Sequence, residues 1–104
     1  MKRLTVQARF LFSLAILLGP PVGMGEELSR AMMLSNSCMG CHGPQGVSPG
    51  SIPSIAGKSA DFIEQALKEF RSGERSSTVM QRHAKAYSDE EITLIARYFA
   101  AVKQ

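Results

Sequence analysis

Five consecutive residues, Cys38-Met39-Gly40-Cys41-His42, constrain this chain more than anything else in it. Their C-x-x-C-H spacing is the one by which a c-type haem is attached covalently. Two thiols can add across the two vinyl groups of a porphyrin, and a spacer of two residues lets one turn of chain reach both. The imidazole that follows then projects at the iron as the proximal ligand. A chain organised this way folds around a flat apolar ring. Other readings of the same residues fit less well. A redox disulfide of the thioredoxin kind expects a strand before the motif, whereas Glu27 to Ser37 reads as a helix. A zinc site needs four ligands, and His42 beside Cys41 is poor geometry for sharing one tetrahedral ion with Cys38 and His83. A structural disulfide leaves His42 idle.

The first 25 residues read as an export signal. Lys2, Arg3 and Arg9 form a positive n-region, Phe10 to Leu18 an apolar run of nine residues, and Pro20-Pro21 closes it. Gly23-Met24-Gly25 offers small residues to a signal peptidase, so the mature domain is expected over residues 26–104 and in the periplasm. An uncleaved membrane anchor would need about 20 apolar residues, so no stable membrane insertion is expected after cleavage. The full chain has 12 basic and 9 acidic residues; removing the three bases of the leader leaves 9 of each. The apparent basicity is thus a property of the leader, and it gives no argument for nucleic-acid binding. The remainder suffices for one domain, with one motif and therefore one haem. Chains this short often depend on a cofactor for stability.

Along the mature part, Glu26-Glu27 followed by Leu28, Ala31, Met32 and Leu34 predicts a short amphipathic helix leading into the motif. Residues 43–58 are rich in glycine, proline and serine and read as loop, with Pro53-Ser54-Ile55-Ala56-Gly57 expected to fold back over one haem face. Ser59 is a candidate N-cap for a helix through Phe62, Ile63, Ala66, Leu67 and Phe70, stopped by Gly73. Ser72 to Val79 is irregular. Ser88 to Glu91 is a capping box, with Tyr87 and Ile92 placed for a hydrophobic staple, and Ile92, Ile95, Phe99 and Val102 form an apolar stripe. Nothing reads as a strand, so the fold class is all-α.

The sixth position on the iron separates electron transfer from chemistry on oxygen or peroxide. Met32, Met33 and Met39 stand too near the proximal side in sequence to reach round the ring. Met80, at the end of an irregular stretch, is the favoured distal ligand, with core packing as its ordinary alternative. His83, one helical turn on, is the rival. Arg71, Arg75, Arg82 and Lys85 gather around this segment as a solvated face or a partner contact.

With the motif, the Pro53 to Gly57 loop and Met80 in place, the chain resembles the small class I c-type cytochromes of bacteria. Within them it is similar to the cytochrome subunits of flavocytochrome c sulfide dehydrogenases. The stretches that carry the resemblance are Ser37 to Gly43, Pro53 to Gly57, and Phe70 to Met80 continuing through Arg82, Ala84-Lys85 and Tyr87-Ser88. The resemblance implies three main helices and loops around one covalent haem, with the first and last helices crossing so that Leu34 meets Tyr98 or Phe99. It implies Cys38 and Cys41 as thioethers, His42 and Met80 as axial ligands, and a carbonyl at or near Pro53 accepting the Nδ1 proton of His42. It also implies that electrons arrive from an FAD-containing flavoprotein subunit that oxidises sulfide and leave to another periplasmic cytochrome. The subunit would relay electrons rather than act as a catalyst by itself. The alternative is a free soluble carrier between a membrane complex and a terminal reductase or oxidase.

Overall fold

The computed structural model describes residues 23–104. Most of the expected leader therefore lies outside the described residues; only Gly23 to Gly25 fall inside, as the exposed first turn of a helix. Four α-helices follow in order, α1 (Gly23–His42), α2 (Ala60–Ser72), α3 (Met80–Ala84) and α4 (Asp89–Ala100), with a 3-10 turn over Pro44–Gly46. No strand occurs among the described residues.

Helix α1 differs from the expected element in length and in its inward face. It continues through the whole motif to His42, because nothing in Cys38 to Cys41 breaks a helix strongly and Gly43, at φ 88°, is the first residue that leaves helical geometry. Ala31 and Ser35 are its buried residues, and Leu34, Cys38 and Met39 pack on the core beyond them. This is an i, i+3, i+4 row. Leu28 and Met32, expected on the apolar face, are exposed instead.

Helix α2 ends where its caps dictate. Phe62 N–H donates to Ser59 Oγ at 3.1 Å, and Gly73, left-handed at φ 85°, closes the last turn with its N–H on Phe70 O. Helix α4 starts with the full capping box, Glu91 N–H on Ser88 Oγ at 3.2 Å and Ser88 N–H on Glu91 Oε1 at 3.0 Å. It packs against both α1 and α2, so burial extends beyond one stripe to Ile92, Leu94, Ile95, Ala96 and Phe99, with Val102 half-buried. The first and last helices are in contact, and Leu34 and Tyr98 both pack on the cluster of Ile63, Ile95, Ala96 and Phe99.

The loop after α1 is drawn back onto the end of α4. Gly46 O accepts from Ile55 N at 2.9 Å and from Ala56 N at 3.1 Å, while Gly57 N–H donates to Phe99 O at 2.9 Å. Gln104 Nε2 reaches Ala56 O at 2.6 Å. These bonds turn the glycine-rich stretch into a fixed arch that passes below the C-terminal end of α1.

Candidate haem site

The two cysteines and His42 occupy the last turn of α1, at i, i+3 and i+4. That spacing puts all three side chains on neighbouring positions of one helix surface. Cys38 is half-buried against the core, Cys41 is exposed and His42 is half-buried. Neither cysteine is in a disulfide. Burial pushes the Cys38 thiol up from its ordinary value, and a hydrogen bond to the Ser37 side chain acts against that rise.

The arch places the Pro53 carbonyl oxygen 2.6 Å from His42 Nδ1. A carbonyl only accepts, so Nδ1 carries the proton and Nε2 keeps its lone pair for a metal. The imidazole is thereby fixed in tautomer and plane, as an outer-shell partner fixes a ligating histidine. Among the described residues no three His, Cys, Asp or Glu side chains gather to hold a metal ion by themselves, which counts against the zinc reading. The helix that precedes the motif, where a strand is expected, counts against a thioredoxin-like one. Two thiols and an oriented imidazole on one helical turn are the donor set that a covalent haem requires.

Met80 comes from a separate element. It is half-buried and opens α3, which packs on α2. His83, on the same short helix, is exposed. The sequence thus brings Cys38, Cys41, His42 and Pro53 together locally, whereas Met80 is positioned through α2.

The basic cluster divides on inspection. Arg71 Nη1 donates to Tyr87 O at 3.1 Å and its Nη2 pairs with Asp89 Oδ1. Arg75 pairs with Glu69 at 2.7 Å and its guanidinium lies 5.5 Å from the Phe70 ring centre. These two are structural groups, which leaves Arg82 and Lys85 as the exposed cations of the set. Tyr87 has a second tie, its hydroxyl 2.7 Å from Ser37 Oγ. Sequence reasoning missed this Ser37–Tyr87–Arg71–Asp89 chain. Its bonded pairs lie up to 50 residues apart, and no local pattern links them.

This chain belongs to the cytochrome c family: the family model described as cytochrome c matches residues 27–103. Membership carries with it a covalent haem c, which the donor set on α1 fits. The chain is 61% identical over 71 residues to the cytochrome subunit of sulfide dehydrogenase from Chlorobaculum tepidum, a match covering 68% of this chain and 64% of that protein. It is 41% identical to the thiosulfate dehydrogenase electron acceptor of Stutzerimonas stutzeri, over 64% of this chain and 33% of that one. With cytochrome c-554(548) of Halomonas halodenitrificans the identity is 35%, covering 62% of this chain and 83% of the relative. The chain thus spans less than two thirds of the length of the first two relatives.

Proposed function

We propose that this protein relays single electrons in the periplasm as the cytochrome subunit of a sulfide dehydrogenase, through one haem held by its own residues. Cys38 and Cys41 form the thioethers. His42 binds the iron through Nε2, with the Pro53 carbonyl holding the Nδ1 proton and so the orientation of the ring. Met80 closes the sixth position and excludes oxygen, peroxide and other small ligands, which restricts the site to electron transfer. When bound, the haem iron alternates between ferric and ferrous and so stores one electron; a thioether ligand favours the ferrous form. The donor is an FAD-containing flavoprotein subunit that oxidises sulfide, and the acceptor is another periplasmic cytochrome. The leader, residues 1–25, is removed on export. Cleavage after Gly25 would take from α1 only exposed residues of its first turn.

The observation that carries the haem reading is the 2.6 Å contact of Pro53 O with His42 Nδ1, which leaves Nε2 as the free donor beside the two thiols. The sulfide assignment is supported by the 61% identity to the Chlorobaculum tepidum subunit. A free carrier is a second reading, favoured by the similarity to a thiosulfate dehydrogenase electron acceptor and to cytochrome c-554(548). Purification from the native host decides between them. A tightly bound partner with stoichiometric FAD is expected; a clean monomer free of flavin would leave the carrier. The ligand set is tested by Met80→Ala, expected to keep the haem attached while lowering the reduction potential and opening the iron. An unchanged visible spectrum and potential would refute Met80.

A further inference from the structure

Residues 73–87 form a segment whose hydrogen bonds to the rest of the domain are confined to its two ends. At the first end Glu74 N–H donates to Ser72 Oγ at 3.2 Å, Arg75 N–H to Glu69 O at 3.1 Å, and Arg75 Nε to Glu69 Oε2 at 2.9 Å. At the second end Arg71 donates to Tyr87 O, and the Tyr87 hydroxyl meets Ser37 Oγ. Between these ends the hydrogen bonds stay inside the segment: Gln81 N–H to Ser77 Oγ, Arg82 and His83 N–H to Val79 O, Lys85 N–H to Gln81 O. The middle is anchored by packing alone, chiefly through Ala84, which is fully buried. Residues 73–79 are exposed throughout. Glu69 and Arg71, two residues apart at the end of α2, therefore hold both sides of a neck.

We propose that Arg71 and Arg75 are positioning residues that keep this neck closed and thereby set how firmly Met80 occupies the sixth position of the iron. The inference rests on the reading of Met80 as distal ligand. A segment with few buried contacts opens in a local equilibrium separate from global unfolding. Here the opening that would carry Met80 away must first separate the ends from α2. Hydrogen bonds to charged groups oppose that step, weakened by partial solvent exposure of both guanidinium groups, so losing one arginine shifts the equilibrium about tenfold.

The experiment is carbon monoxide binding to the reduced holoprotein at neutral pH, where the gas competes with Met80 for the iron. Arg71→Gln and Arg75→Gln are each expected to bind carbon monoxide about tenfold more tightly than the unaltered protein. Arg97→Gln breaks the ion pair with Glu27 on α1, outside the segment, and is expected to leave affinity unchanged. The proposal is overturned if Arg71→Gln and Arg75→Gln lower the thermal midpoint yet bind carbon monoxide as the unaltered protein does, because the pairs then only join helices. Should Arg71→Gln fail to fold, Arg75→Gln decides at the first end, and Tyr87→Phe, which removes only the hydroxyl contact with Ser37, tests the second. Met80→Ala separates the two levels. If it binds no more tightly than the unaltered protein, the ligand reading fails and the neck with it. If it binds tightly while the neck variants do not, only the neck fails.

Discussion

At Gly46 the backbone takes φ +78°, and an added Cβ would lie 2.7 Å from Phe99 Cδ1 and 3.0 Å from Ile55 Cγ1. Phe99 is fully buried and cannot move aside. Gly46→Ala therefore meets two penalties, the left-handed backbone of a side-chain-bearing residue and overpacking of a closed core, together about 3 kcal/mol. Thermal unfolding of the holoprotein should show the loss as a lowered midpoint; an unchanged midpoint would mean that the arch does not depend on this contact. The sequence marks Gly46 only as one of several loop glycines. Its actual constraint, the ring of Phe99, lies on the last helix and is invisible to local pattern. The same distinction separates the site residues. The proposed attachment residues Cys38, Cys41 and His42 are legible because attachment chemistry demands their contiguity. Pro53 is indicated only by the resemblance, since it stands eleven positions after His42 and nothing in the composition between them states where its carbonyl points. Arg71 and Arg75 had the look of a solvated face, and only the fold shows what their guanidinium groups hold.

Among the helices, legibility follows the caps. Both ends of α2 and the start of α4 are where the sequence places them, because Ser59, Gly73 and the Ser88–Glu91 box act on backbone groups within three residues. Ser88→Ala removes the acceptor for Glu91 N–H and is expected to cost about 1 kcal/mol, read as a lower midpoint of chemical unfolding with unchanged slope. A loss below a few tenths would show that α4 is held by burial of Ile92, Ile95 and Phe99 alone. Helix α3 shows in the sequence only as the one-turn spacing of Met80 and His83, for the complementary reason. It has five residues, too few to display a period, and its N-cap Val79 offers no side-chain acceptor. The C-terminal part of α1 was hidden differently. Its residues carry a chemical motif, and the helical period continues beneath that motif in Ala31, Ser35, Cys38 and His42.

Among the described residues the apolar core is small, nine buried residues of which four are alanine, so the remaining cohesion comes from polar contacts joining elements and, in the holoprotein, from the haem. Large apolar side chains stay exposed on both sides of the motif, Met24, Leu28, Met32 and Met33 before it and Val47, Ile52, Phe62 and Val79 between His42 and Met80, and the second group suits a fold completed by an apolar cofactor. Dependence on polar contacts makes stability sensitive to acid. Four carboxyls are held below their ordinary values by donors that exist only in the fold. The Lys68 ammonium does this for Glu64, Gln65 and then Arg75 for Glu69, the Arg71 guanidinium for Asp89, and the Ser88 N–H for Glu91. As pH falls, the unfolded chain takes up protons at these groups first, near the ordinary carboxylate range of about 4, while the folded chain resists until lower pH. Their contribution is therefore fully present above that range and is lost as pH drops through the folded values. The thermal midpoint of the holoprotein should be level from neutral pH to about 5 and fall steadily below about 4. Glu91→Gln isolates one component: its amide oxygen can still accept from Ser88 N–H, but it no longer titrates, so the acid limb should be shallower while the capping bond persists. A midpoint that stays level to pH 3, or an acid limb unaffected by Glu91→Gln, would show that these contacts contribute nothing pH-dependent to the fold.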